Sequence, residues 1–126
     1  MFIVEDEAII AMELEDRLEK LGYEVCGHAA RGEQALATIP TAKPDVVLMD
    51  VNLGRGMTGL ETAELLRETF DAPVVFLTAY TSAELEEKAR TSRTFQYLVK
   101  PFRPEALRAT IETASAHRSA RRDPER

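Results

Sequence analysis

The feature that most constrains this chain is a fivefold alternation of short apolar runs with stretches whose apolar residues recur at helical spacing. Phe2-Ile3-Val4 has the length of a buried strand, and Ile10, Leu14, Leu18 and Leu21 follow as one helix face up to Gly22, a helix stop. Val25 and Cys26 mark a second strand, and Ala35, Leu36 and Ile39 a second helix that ends near Pro40. Val46 to Met49 is the third strand. Thr58-Gly59-Leu60-Glu61 is a capping box, in which the threonine oxygen and the glutamate satisfy free backbone donors, and Leu60, Ala63, Leu66 and Phe70 are the buried stripe behind it. Pro73 precedes the fourth strand, Val74 to Leu77. Thr81-Ser82-Ala83-Glu84 reads as a second capping box, opening a polar fourth helix, Thr81 to Ser92, with Leu85 and Ala89 as its apolar anchors. Phe95 to Val99 is the fifth strand, and Pro104 with Leu107, Ile111 and Ala114 starts and faces the last helix.

Five β-α units imply an open parallel sheet, doubly wound, with helices on both faces, because each crossover runs right-handed over one side of the sheet. The 126 residues leave no room for a second domain and are enough to bury a core without disulfide or metal. Cys26 is the only cysteine, which excludes an internal disulfide and fits a reducing compartment. No apolar stretch approaches the roughly 20 residues needed to span a bilayer, and the start MFIVEDE lacks the pattern of a signal peptide, so a cytoplasmic protein without a membrane partner is expected. A net charge of −6 argues against direct nucleic-acid binding, which uses a basic face. The basic run His117 to Arg122 is read as a solvated end or the start of a linker.

In sheets of this kind ligands bind at the carboxyl ends of the strands. The residues there are Glu5-Asp6-Glu7, Asp50, Thr78 and Lys100-Pro101. Several carboxylates brought together repel one another unless a cation neutralises them. Asp6 and Asp50, with Glu5 as a further candidate, therefore describe an all-oxygen site for a small hard cation: magnesium, with manganese as the alternative. Beside such a cation the Asp50 carboxylate can act as a nucleophile toward phosphorus. Lys100 supplies a charge for phosphoryl oxygens and Thr78 a hydroxyl donor.

Through IVEDE, VVLMDVNL, MTGLE, VVFLTAY and YLVKPF the sequence resembles the receiver domains of two-component response regulators, from Phe2 to about Ala116. The resemblance implies a flavodoxin-like fold with strand order 2-1-3-4-5, a receiver domain over residues 1–116, and a basic tail or linker over 117–126. It implies that Asp50 is the phosphoacceptor and that Asp6, Asp50 and the backbone carbonyl of Asn52 hold magnesium, with Glu5 acting through water. It further implies that Thr78 and Tyr97 form a switch pair, that Lys100 binds the phosphoryl group, and that Lys100-Pro101 is a cis peptide. The partner implied is a sensor histidine kinase or a histidine phosphotransfer protein, and the output surface is helix 4, strand 5 and helix 5, where a second copy can also dock. Such a protein assists only its own phosphorylation and dephosphorylation and is no enzyme in the ordinary sense.

Two stretches depart from the family pattern. Gly54-Arg55-Gly56 replaces a common proline and frees the loop after the third strand, and Arg93 to Gln96 replaces a small-residue approach to the fifth. About ten residues follow the last helix, too few for a DNA-binding module, so the chain is expected to be a stand-alone regulator or a piece of a larger protein. Two readings stand beside the main one: a receiver-like interaction module that ignores phosphate, and an aspartyl-phosphate phosphatase dependent on magnesium. Asn52 counts against the phosphatase, because it occupies the place of that class's general acid. Glu5-Asp6-Glu7 would repel the phosphate of a bound flavin.

Overall fold

The computed structural model describes residues 1–54, 56–92 and 94–122, with side chains described as far as residue 116. In chain order the elements are β1 (Phe2–Val4), α1 (Ala8–Lys20), β2 (Gly27–Ala29), α2 (Gly32–Ala42), β3 (Val47–Asp50), α3 (Gly59–Leu66), β4 (Val74–Thr78), α4 (Ala83–Thr91), β5 (Phe95–Val99) and α5 (Pro104–Arg122). The strands form one parallel sheet in the order β2-β1-β3-β4-β5. This is the expected doubly wound, flavodoxin-like arrangement.

Successive strand residues point to opposite faces, and this alternation divides the core in two. Phe2, Val47, Met49, Val74 and Phe76 pack on one face with Ile39, Ala63, Leu66 and Leu85 from α2, α3 and α4. Ile3, Leu48, Val75 and Leu77 pack on the other with Leu14 and Leu18 of α1 and Leu107 and Ile111 of α5. Each fully buried side chain of this size stabilises the fold by about 1.5–3 kcal/mol. Phe76 and Phe95 meet edge to face, with centroids 5.2 Å apart and planes at 79°, joining β4 to β5 inside the first cluster.

Local expectations needed correction at several places. The second strand is not Val25-Cys26 but begins at Gly27, opposite Phe2; a Cβ on Gly27 would lie 3.0 Å from the Phe2 ring, so the strand is marked by a missing side chain and not by apolar ones. Cys26 is exposed and its thiol donates to the Met1 carbonyl at 3.3 Å. The second helix runs past Pro40 to Ala42, because Lys43, in the left-handed region at φ 50, still donates to the Ile39 carbonyl at 2.9 Å. The third helix ends at Leu66, and Phe70 reaches the core from the turn that follows.

The capping box at Thr58 and Glu61 forms as expected, but the one at Thr81 and Glu84 does not. Ser82 caps α4 instead, accepting from the Leu85 amide at 3.1 Å, while the Thr81 hydroxyl donates to Glu86 at 2.6 Å. Leu85 is the buried residue of α4 and Ala89 is half-buried, so this helix is thinly anchored. The backbone of α5 continues through Arg122, so the expected change from domain to tail falls within a helix; the side chains from His117 onward, and residues 123–126 altogether, lie outside what is described.

Candidate functional site

Parallel strands all deliver their last residues to one end of the sheet, and here that end gathers the acidic residues. β1 ends before Glu5, β3 on Asp50, β4 on Thr78, and β5 just before Lys100. Carboxylate oxygens of Glu5, Asp6 and Asp50 all lie within 4.8 Å of one another. Lys100 Nζ stands 3.4 Å from Asp50 Oδ2 and 3.7 Å from Glu5 Oε1. Together with Asn52, Gly54, Thr78 and Tyr80 these residues line an open cleft of about 300 Å³. A larger groove of about 500 Å³ lies between α3 and α4, lined by Leu60, Glu64, Leu65 and Lys88, and holds none of them.

The three carboxylates are not equivalent. Glu5 is 5% exposed, Asp50 is half-buried and Asp6 is open to solvent. Burial, followed by the neighbouring Asp50 and Asp6, pushes the Glu5 carboxyl from an ordinary 4.5 up to about 8, against the opposing effect of the Glu7 amide, which donates to it at 3.0 Å. The cleft thus holds more negative charge than Lys100 offsets. An all-oxygen donor set with surplus negative charge fits a hard divalent cation rather than a soft one.

Asp50 Oδ1 accepts from the Asn52 amide at 3.0 Å, and Asn52 Oδ1 in turn accepts from the Gly54 amide at 3.1 Å. The loop after β3 is therefore a closed turn with the Asn52 side chain folded into it. At its far end α3 begins at Gly59, whose amide donates to the Val51 carbonyl at 2.7 Å. A Cβ on Gly59 would run into the Asp50 carbonyl and lie 2.9 Å from Val51 Cα. Thr78 is buried, and its hydroxyl is turned into its own loop, donating to the Tyr80 carbonyl at 2.6 Å and accepting from the Tyr80 amide at 3.2 Å. Lys100-Pro101 is cis.

The structure brings Glu5, Asp6, Asp50, Asn52, Thr78 and Lys100 around one cleft. Tyr97 is not among its lining residues; it stands on β5 opposite Phe76, half-buried against the α2-α3-α4 side of the core. Two glycines escaped notice as parts of the site. Gly59 lets α3 start against the strand carrying Asp50, and Gly54, at φ 73, brings the loop against Asp6. Glycine spacing in the sequence signals a free loop, but not what that loop touches.

Residues 1–112 match the family described as the response regulator receiver domain. The chain is 40% identical over 114 residues to the transcriptional regulatory protein PdtaR of Mycobacterium tuberculosis, an alignment that covers 90% of this chain and 55% of that protein. It is 38% identical over 115 residues to the phyllosphere-induced regulator PhyR of Methylorubrum extorquens, covering 90% of this chain and 42% of that one. It thus spans about half the length of these relatives. The crystal structure of the signal receiver domain of a modulated diguanylate cyclase from Desulfovibrio desulfuricans superposes with a TM-score of 0.83 at 34% identity, covering 95% of each chain. With the acidic cleft at the strand ends, the strand order and the family match in agreement, the chain belongs to the response regulator receiver domain family.

Proposed function

We propose that this receiver domain takes a phosphoryl group onto Asp50 from the phosphohistidine of a sensor kinase or phosphotransfer protein, in the cytoplasm, and acts as a switch and not as an enzyme on other substrates. The observation that carries the reading is the cluster of Glu5, Asp6 and Asp50 within 4.8 Å, with Lys100 Nζ 3.4 Å from Asp50. Asp6, Asp50 and the Asn52 backbone carbonyl would hold magnesium or manganese, with Glu5 reaching it through water. When bound, the cation offsets the negative charge of the carboxylates and of the phosphoryl oxygens. In the transfer, the bond between phosphorus and the donor nitrogen breaks as a bond to an Asp50 oxygen forms. The imidazole leaves with the electron pair and takes up a proton from solvent. Lys100 moves its charge from the Asp50 carboxylate to the phosphoryl oxygens.

The switch follows from Thr78. Its hydroxyl gives up the Tyr80 carbonyl and donates to a phosphoryl oxygen, drawing the loop after β4 toward Asp50. That movement frees the space into which Tyr97 turns. It is resisted by Leu85 and by the ion pair of Lys88 with Glu64, 3.3 Å, which tie α4 to the core and to α3. Moving the population from 1:99 to 99:1 requires roughly 5.5 kcal/mol. A hydrogen bond to a charged group supplies about 1.5–3 kcal/mol, less what the lost Tyr80 contact was worth, so Lys100 must contribute too. The α4-β5-α5 surface is the proposed docking place for a partner or a second copy, and residues 117–126 are proposed to be a basic tail or the start of a linker. Exposure to acetyl phosphate with magnesium, followed by intact-mass measurement, tests the acceptor. One phosphoryl group per chain is expected, absent in Asp50→Asn, and labelling of Asp50→Asn at the unsubstituted rate would refute the assignment.

A further inference from the structure

We infer that Gly54 is a positioning residue for the cation site: carrying no side chain, it leaves the Asp6 carboxylate in the cleft, and a Cβ on the left-handed backbone that this loop adopts, which the family's common proline cannot take, would turn Asp6 out of it, an inference that rests on the cation-site reading above. The loop leaving Asp50 makes two successive side-chain-to-backbone turns, Asn52 amide to Asp50 Oδ1 and Gly54 amide to Asn52 Oδ1. These deliver Gly54 in the left-handed region, at φ 73, with its open side toward Asp6. A Cβ built on Gly54 would stand 2.9 Å from Asp6 Oδ2 and 3.9 Å from its Cγ. Beyond the adjacent residues of the loop, and among the described residues, nothing else lies within 4 Å of it.

What gives way is decided by stiffness. Asp6 is exposed and has a short, rotatable side chain, whereas the Gly54 backbone is held through Asn52 to Asp50. A Cβ would therefore rotate the carboxylate and leave the backbone where it is. Rotated, Asp6 leaves the cluster it forms with Glu5 and Asp50, and the loss falls on cation affinity, not on the fold. Gly56 supplies the comparison within the same loop. It too is left-handed, at φ 85, and its Cβ would also stand 2.9 Å from a carboxylate oxygen, but that oxygen belongs to Glu33, outside the cleft. The backbone demand is alike at the two glycines, and only the carboxylate in the way differs. The loop that carries the acceptor thus also sets the pose of a cation ligand supplied by the segment after β1.

Calorimetric magnesium titration of the unsubstituted chain, Gly54→Ala, Gly54→Asn and Gly56→Ala separates contact from strain. Asparagine tolerates left-handed backbone far better than alanine but keeps the Cβ. Both Gly54 variants should raise the half-saturating magnesium concentration by about tenfold or more, the effect expected when a ligand loses its support. Gly56→Ala should stay within about twofold of the unsubstituted chain, because its strain is alike but the carboxylate its methyl group meets, Glu33, lies outside the cleft. A Gly54→Asn protein that binds magnesium normally, or a Gly56→Ala protein weakened as much as Gly54→Ala, would overturn the inference. A further measurement needs no variant to fold: the Gly54 amide resonance should shift with the same magnesium dependence as that of Asp6, and a Gly54 amide unmoved at saturation would also overturn it. Failure of the cation-site reading looks different, since the unsubstituted chain would then take up no magnesium, or Asp6→Asn would bind it undiminished.

Discussion

Glu5→Gln should stabilise the magnesium-free protein, and increasingly so as the pH rises. In the fold the Glu5 carboxyl sits near 8, pushed up by burial and then by Asp50 and Asp6, whereas in the unfolded chain it returns to about 4.5. Between those values the native state holds a proton that the unfolded state has lost. Stability from this group is therefore complete below about 4.5 and falls as pH rises, until it is gone above about 8. Each pH unit inside the window costs at most about 1.4 kcal/mol, which caps the loss between pH 5 and pH 8 at about 4 kcal/mol. Relaxation and water reaching the carboxyl through the open cleft keep the effect below that cap, and about 2 kcal/mol is the expected size. Glutamine keeps the shape and an oxygen for the Glu7 amide but carries no charge. Urea unfolding of both proteins in chelator at pH 5, 6, 7 and 8 should show Glu5→Gln ahead by a margin that widens toward pH 8. Saturating magnesium should flatten the slope of the unsubstituted protein by offsetting the charge. Parallel pH profiles for the two proteins in chelator would refute the reasoning.

Lys100→Ala should leave magnesium affinity within a few-fold of normal, since lysine repels the cation, yet slow phosphorylation by at least about a hundredfold; calorimetry and the rate of labelling by acetyl phosphate check the two halves separately. Gly59→Ala should destabilise the fold by about 1–3 kcal/mol in urea, because the new methyl group meets the backbone at Asp50 and Val51, which cannot rotate aside as a side chain can. Tyr80 is 84% exposed beside the cleft, where its ring can hinder a water approaching the phosphoryl group. Tyr80→Ala should then shorten the lifetime of the phosphorylated protein severalfold, and an unchanged decay rate removes Tyr80 from the account.

What the sequence by itself determined was whatever is local or periodic. Apolar runs and helical spacing determined the order of the ten elements, since a strand alternates faces every residue and a helix returns every turn. The split of Ile3, Leu48 and Val75 from Phe2, Val47 and Val74 between the two faces follows from that alternation alone. The kinds of residue at the strand ends were equally legible, because parallel strands must deliver their carboxyl ends to one edge. Tertiary structure decided the rest, by contacts between residues far apart in the chain. Only the Phe2 ring explains why the second strand begins at Gly27, where no apolar side chain marks it. Only the packed strand ends make Glu5 the buried carboxylate and Asp6 the open one, adjacent though they are. The Thr78 hydroxyl found its partner in the Tyr80 backbone through the conformation of a loop, which no residue type dictates. Gly54 reads in the sequence as freedom; folded against Asp6 it becomes a steric requirement, because the parallel pairing of β1 with β3 sets the loops that leave them side by side.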